Sequence, residues 1–113
     1  MKRDLSLFIE DILENIRLIE KSIMNLTQEQ FENDKDIIDA TVRRMEIIGE
    51  AAKNIPSSFR EKYQTIPWKK VVGVRNIIIH QYFRVDVNFL WAMIKNDLPP
   101  LKKNVMKMRN DLK

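Results

Sequence analysis

The sequence has no cysteine, one histidine, two glycines and four prolines among 113 residues. The lack of cysteine excludes a disulfide framework, a thiol nucleophile and any Cys-ligated zinc or iron–sulfur site. A single histidine excludes a multi-histidine metal site within one chain, and no cofactor is expected. No apolar run approaches the ~18 residues of a membrane span. The opening Met1-Lys2-Arg3-Asp4 turns amphipathic at once, and its stripe is broken by Glu10, Asp11 and Glu14. That is not the pattern of a signal peptide, and the expected location is the cytoplasm. There is no Gly-rich phosphate loop, no Ser/His/Asp arrangement and no zinc-ligand spacing.

What is present describes a folded chain: 44% of residues are hydrophobic and 32% charged. Its length fits one domain over residues 1–113. The net charge of +4 hides an asymmetry. Residues 1–55 carry 8 Lys and Arg against 12 Asp and Glu, a net of −4. Residues 56–113 carry 12 against 4, a net of +8. A basic half suits a polyanion such as RNA. Equally, the two halves can attract each other within the fold or across a dimer.

With so little Gly and Pro and scarce alternation, the periodicity is helical throughout. Leu5, Phe8, Ile9, Ile12, Ile16, Ile19, Ile23 and Leu26 recur at three- and four-residue steps and predict a first helix at about 4–26. Thr27-Gln28-Glu29-Gln30 reads as a capping box. Asn33-Asp34 marks a break before a helix at about 35–55, with Gly49 and Ala51-Ala52 as a surface for close helix approach. Pro56 stops it. Ser58-Phe59-Arg60-Glu61 reads as a second capping box for a short helix to Tyr63. Pro67 then suits the first turn of a helix at about 67–82. Asp86 caps a last helix, which Pro99-Pro100 interrupts or kinks. The predicted architecture is all-α, an antiparallel bundle of four to five helices.

One segment concentrates unusual chemistry: Arg75-Asn76-Ile77-Ile78-Ile79-His80-Gln81-Tyr82. On a helix Asn76 and His80 lie one turn apart, so the amide can set the imidazole tautomer. Arg75 and His80 are about 140° apart, which is awkward for one intrachain site. Either the helix ends near Ile79 and swings His80 round, or a symmetric dimer brings two segments to one cleft. A histidine can move a proton at neutral pH. An arginine binds phosphate and stabilises charge developing on it. The pair suits metal-independent RNA cleavage, with His80 activating the ribose 2′-hydroxyl. Elsewhere, Asp34, Asp36 and Asp39 suggest Mg²⁺ less well than they suggest a helix start. Glu50 can pair with an Arg or line a cleft. Lys69-Lys70 and Lys102, Lys103, Lys107, Arg109 and Lys113 can contact phosphates or simply face solvent.

These residues also carry a resemblance. Ile66-Pro67-Trp68, Gly73-Val74-Arg75-Asn76, His80-Gln81-Tyr82, Asp86 and Asp97-Leu98-Pro99 resemble the HepT-like family of the HEPN superfamily. So does the stretch Arg44-Met45-Glu46-Ile47-Ile48-Gly49-Glu50-Ala51-Ala52. The resemblance implies a HEPN-like homodimer with two Arg-x4-His-x-Tyr segments facing across a cleft. It implies a metal-independent ribonuclease toxin, with Arg75 and His80 catalytic and Asn76 supporting His80. It further implies an antitoxin partner, a minimal nucleotidyltransferase of the MntA type, that silences the toxin by transferring AMP to Tyr82. The rival reading is a non-catalytic module that binds nucleotides or a protein partner of nucleotidyltransferase type.

Overall fold

The computed structural model describes residues 2–78 and 84–112. Helix α1 (Lys2–Ile23) is the spine of the bundle. Its stripe places Ile9, Ile12, Ile16 and Ile19 wholly out of solvent. Burying one such side chain stabilises the fold by about 1.5–3 kcal/mol. The helix stops at Ile23, short of the expected Leu26, because the chain turns there: the Leu26 N–H donates to the Ile23 carbonyl at 2.9 Å. Met24, left beyond the helix, is exposed.

The Thr27 capping box is present. Thr27 Oγ1 accepts from Gln30 N, and Gln30 Oε1 accepts from Thr27 N, opening α2 (Gln28–Glu32). Asp34 caps α3 (Lys35–Lys53) by accepting from the Ile37 N–H at 3.1 Å. Helix α3 runs antiparallel to α1. Arg44 reaches the Leu18 carbonyl, while the later turns of α3 line a groove with Phe8 and Asp11 from near the start of α1.

After Pro56 come α4 (Ser57–Arg60) and a 3-10 turn (Glu61–Tyr63). The second capping box is not formed. Helix α4 begins at Ser57 with Pro56 as its cap and no side-chain cap bond, so Ser58 lies inside the helix. The segment is instead fixed by Trp68, whose Nε1–H donates to the carbonyls of Tyr63 and Arg60 at 3.1 and 3.2 Å.

The helix expected at 67–82 is broken. Among the described residues it is two pieces, α5 (Trp68–Val72) and α6 (Val74–Ile78), with Gly73 ending the first. The Gly73 N–H closes α5 on Lys69 O, and the Gly73 carbonyl accepts from Asn76 N only three residues on. Pro67 serves as the cap of α5, one residue before its first turn. Residues 79–83 lie outside the described residues. The chain is tied on either side of them, since Asp86 N–H donates to the Ile78 carbonyl at 2.7 Å.

Asp86 caps α7 (Val87–Ala92), accepting from Phe89 N as its position predicts. A π-helical turn (Met93–Asp97) then leads into α8 (Leu98–Asp111). Pro99 and Pro100 lack N–H groups, and their rings crowd the preceding turn of a regular helix. The wide turn absorbs this: the last N–H before them, on Leu98, reaches five residues back to the Met93 carbonyl. Helix α8 therefore continues with Leu101, Val105 and Met108 buried. It too runs antiparallel to α1, as Lys102 pairs with Glu20 and Arg109 with Glu10. These pairs and Arg75–Glu46 join the basic half of the chain to the acidic half. Among the described residues no helix is long and apolar enough to cross a membrane.

Candidate active site

Gly49 determines how the site is assembled. It is buried on α3, and a Cβ there would stand 3.0 Å from Val71 O, 3.3 Å from Val72 O and 3.3 Å from Val74 Cγ1. The missing side chain lets α5 and α6 pack this near to α3, since a Cβ would force the neighbouring backbone to give by a few tenths of an ångström. The approach brings Arg75, on the first turn of α6, alongside the carboxylate of Glu46, one turn before Gly49 on α3. Arg75 Nε lies 3.1 Å from Glu46 Oε2.

The ion pair borders an open groove of about 640 Å³. Its polar lining includes Arg43, Lys53 and Arg75 as cations, Asp11, Glu46 and Glu50 as anions, and Asn76. Arg75 is about half exposed, so its guanidinium is accessible to a ligand. Asn76 is exposed beside it. Of the two possibilities for Glu50, the structure shows the cleft-lining one. The carboxylate paired with Arg75 belongs to Glu46, four residues earlier. Sequence reasoning assigned Glu46 no role. Its signal was the helical spacing Glu46-x-x-Gly49, which puts the carboxylate one turn from the closest helix contact.

His80 and Tyr82, expected as the proton-transfer group and the modification site, lie outside the described residues. The structure does place the residues leading to them: Arg75 and Asn76 border the groove and Ile78 is buried. The Asp34–Asp39 stretch is structural where it is described. Asp34 caps α3, and Asp39 pairs with Lys35 at 3.0 Å. Among the described residues no three His, Cys, Asp or Glu side chains group as metal ligands would. Of the basic candidates, Lys70 pairs with Asp97 at 2.8 Å, and Lys102 and Arg109 hold α8 to α1. Lys103 and Lys107 are exposed on α8.

Residues 12–108 match the family described as ribonuclease HepT-like. The chain is 44% identical over 112 residues to a Methanocaldococcus jannaschii protein named as a gamma-glutamylcyclotransferase and candidate RNase. That match covers 99% of this chain and 50% of the relative, so the chain spans half the length of that protein. It is 44% identical over 104 residues to a second candidate RNase of the same organism, covering 92% of this chain and 95% of the relative. It is also 44% identical over 109 residues to a candidate ribonuclease HepT of Thermococcus cleftensis, covering 96% and 99%. No solved structure matches the chain significantly. A family match over most of the helical bundle, together with close relatives of nearly the same length, makes the chain a member of the ribonuclease HepT-like family of enzymes.

Proposed function

We propose that this chain is a metal-independent RNA endonuclease, one HepT-like domain over residues 1–113 that works as a homodimer. The observation that carries the reading is Arg75 at the border of an open groove, half exposed, in a chain whose family is one of ribonucleases. In this reading Arg75 binds the scissile phosphate and stabilises the charge that builds on it. His80 takes the proton of the ribose 2′-hydroxyl. The 2′-oxygen attacks phosphorus, the bond to the 5′-oxygen breaks, and the leaving oxygen takes up a proton. The products are a 2′,3′-cyclic phosphate and a 5′-hydroxyl. A homodimer supplies two His80 side chains, one to accept the proton and one to donate it. DNA, without the 2′-hydroxyl, is not cleaved by this route. Asn76, one helical turn before His80, supports the imidazole.

The same reading makes the protein a cytoplasmic toxin whose antitoxin is a minimal nucleotidyltransferase. AMP transfer from ATP to the Tyr82 oxygen, with loss of the phenol proton and departure of pyrophosphate, would add phosphate charge and bulk two residues from His80, where the RNA phosphate must bind. A phenol with its ordinary pKa near 10 is a modest nucleophile, which favours modification by a partner enzyme over self-modification.

The test is cleavage of RNA by purified protein in the presence of a chelator. His80→Ala and Arg75→Ala should each lower the rate by about 10²–10⁴ with mass and helicity unchanged. Undiminished cleavage by His80→Ala would sink the acid–base role. Dependence on added Mg²⁺ would replace the mechanism. For the control step, intact mass after co-expression with the nucleotidyltransferase should show added AMP. Tyr82→Phe should still cleave RNA and escape silencing once the partner is removed.

A further inference from the structure

We propose that Glu46 is the positioning residue for Arg75, orienting the guanidinium toward the RNA phosphate. The inference rests on the reading of Arg75 as the phosphate-binding group and deepens it. Arg75 lies on α6, a helix of five residues that follows the break at Gly73. A long arginine side chain on so short an element would sample many rotamers. Glu46 comes from the interior of α3, a helix of 19 residues. Its neighbours Met45 and Ile48 are buried, and its own side chain is only 31% exposed against 55% for Arg75. The better-anchored partner therefore holds the freer one.

The direction of contact gives the pair its meaning. The carboxylate approaches Nε, at the root of the guanidinium, at 3.1 Å. A guanidinium offers a planar fork of five N–H donors. A carboxylate on the Nε side leaves the edge formed by the two terminal nitrogens to grip a phosphate by two parallel bonds. Glu46 thus acts through Arg75 rather than on RNA. Gly49, one turn on, is what brings α3 and α6 close enough for the pair to form.

Glu46→Gln tests this, since it removes the charge and keeps the shape of a partly exposed side chain. The expected result is a fall of about tenfold in kcat with KM for RNA changed less than threefold, because the misaligned group fails mainly in the transition state. Melting temperature and oligomeric mass should match wild type. Glu14→Gln, which removes a charge paired with Arg17 on the surface of α1, should cleave as wild type does. In an Arg75→Ala background, Glu46→Gln should cause no further loss, since two residues acting through one contact are not additive.

Wild-type cleavage by Glu46→Gln beside an inactive Arg75→Ala would overturn the proposal while leaving the role of Arg75 standing. Faster cleavage, the sign of a carboxylate that competes with phosphate, would also overturn it, as would full additivity in the double variant. An active Arg75→Ala would overturn both the role of Arg75 and that of Glu46.

Discussion

Gly49 of α3 and Val71 of α5 approach so closely that a single methyl group on Gly49 would press on the Val71 carbonyl at 3.0 Å. The opposing atom is backbone, which cannot swing aside as a flexible side chain can. Gly49→Ala would ordinarily favour a helix by about 1 kcal/mol. Here overpacking should outweigh that gain and leave the protein about 1–2 kcal/mol less stable. Because the strain falls between α3, which carries Glu46, and the α5–α6 segment, which carries Arg75, RNA cleavage should fall as well. Urea unfolding and a cleavage assay on one preparation measure both. A more stable variant would show that the helices separate freely.

Phe31 of α2 is fully buried and meets Trp91 of α7 with ring centroids 5.1 Å apart. Phe31→Ala should destabilise the fold by about 3–5 kcal/mol. The denaturant midpoint reports this loss. A loss below ~1 kcal/mol would mean that α2 is not part of the cooperative core.

The Tyr63 hydroxyl donates to Asp111 Oδ2 at 2.6 Å, joining the 3-10 turn to the end of α8. Its pKa is pushed up to about 12, first by burial and then by the hydrogen bond and negative charge of Asp111. In the unfolded chain the phenol titrates near 10. The folded state therefore holds this proton more tightly. Its contribution to stability is complete below about pH 10 and is lost as pH rises toward 12. Subtracting the alkaline absorbance titration of Tyr63→Phe from that of wild type should isolate a phenol titrating near 12. Asp111→Asn should move that titration down. An ordinary midpoint near 10 in the folded wild type would refute the contact.

The cross-half pairs Lys102–Glu20 and Arg109–Glu10 are more than a third exposed on each side chain. Solvent screens such pairs, so Lys102→Ala should cost less than about 1 kcal/mol. The cost should shrink further in molar salt. A larger, salt-independent loss would mean that the lysine stem contributes by packing.

The isoleucine stripe of α1, the Thr27 capping box and the Asp34 and Asp86 caps were legible because each depends on residues within a few positions of one another. The cap Ser58 was misread, since a capping box needs its Ser outside the helix and Pro56 had already started one. Gly73 and the π turn were harder. Whether a glycine breaks a helix depends on what packs against it, and α5 and α6 meet at the surface Gly49 opens. Two prolines can kink a helix or be absorbed, and the buried Leu101, Val105 and Met108 favour absorption.

The sequence by itself determined the chemistry available: an arginine, an asparagine, the only histidine and a tyrosine within eight residues, inside the stretch that matches the family. It also determined that the chain is helical, because apolar spacing is a local property. Only the tertiary structure decided which carboxylate faces Arg75. Glu46 and Glu50 lie on the same helix one turn apart and are equivalent by type. The choice depends on how closely α6 approaches α3 and at which turn, and Gly49 determines that through a contact with backbone more than 20 residues away.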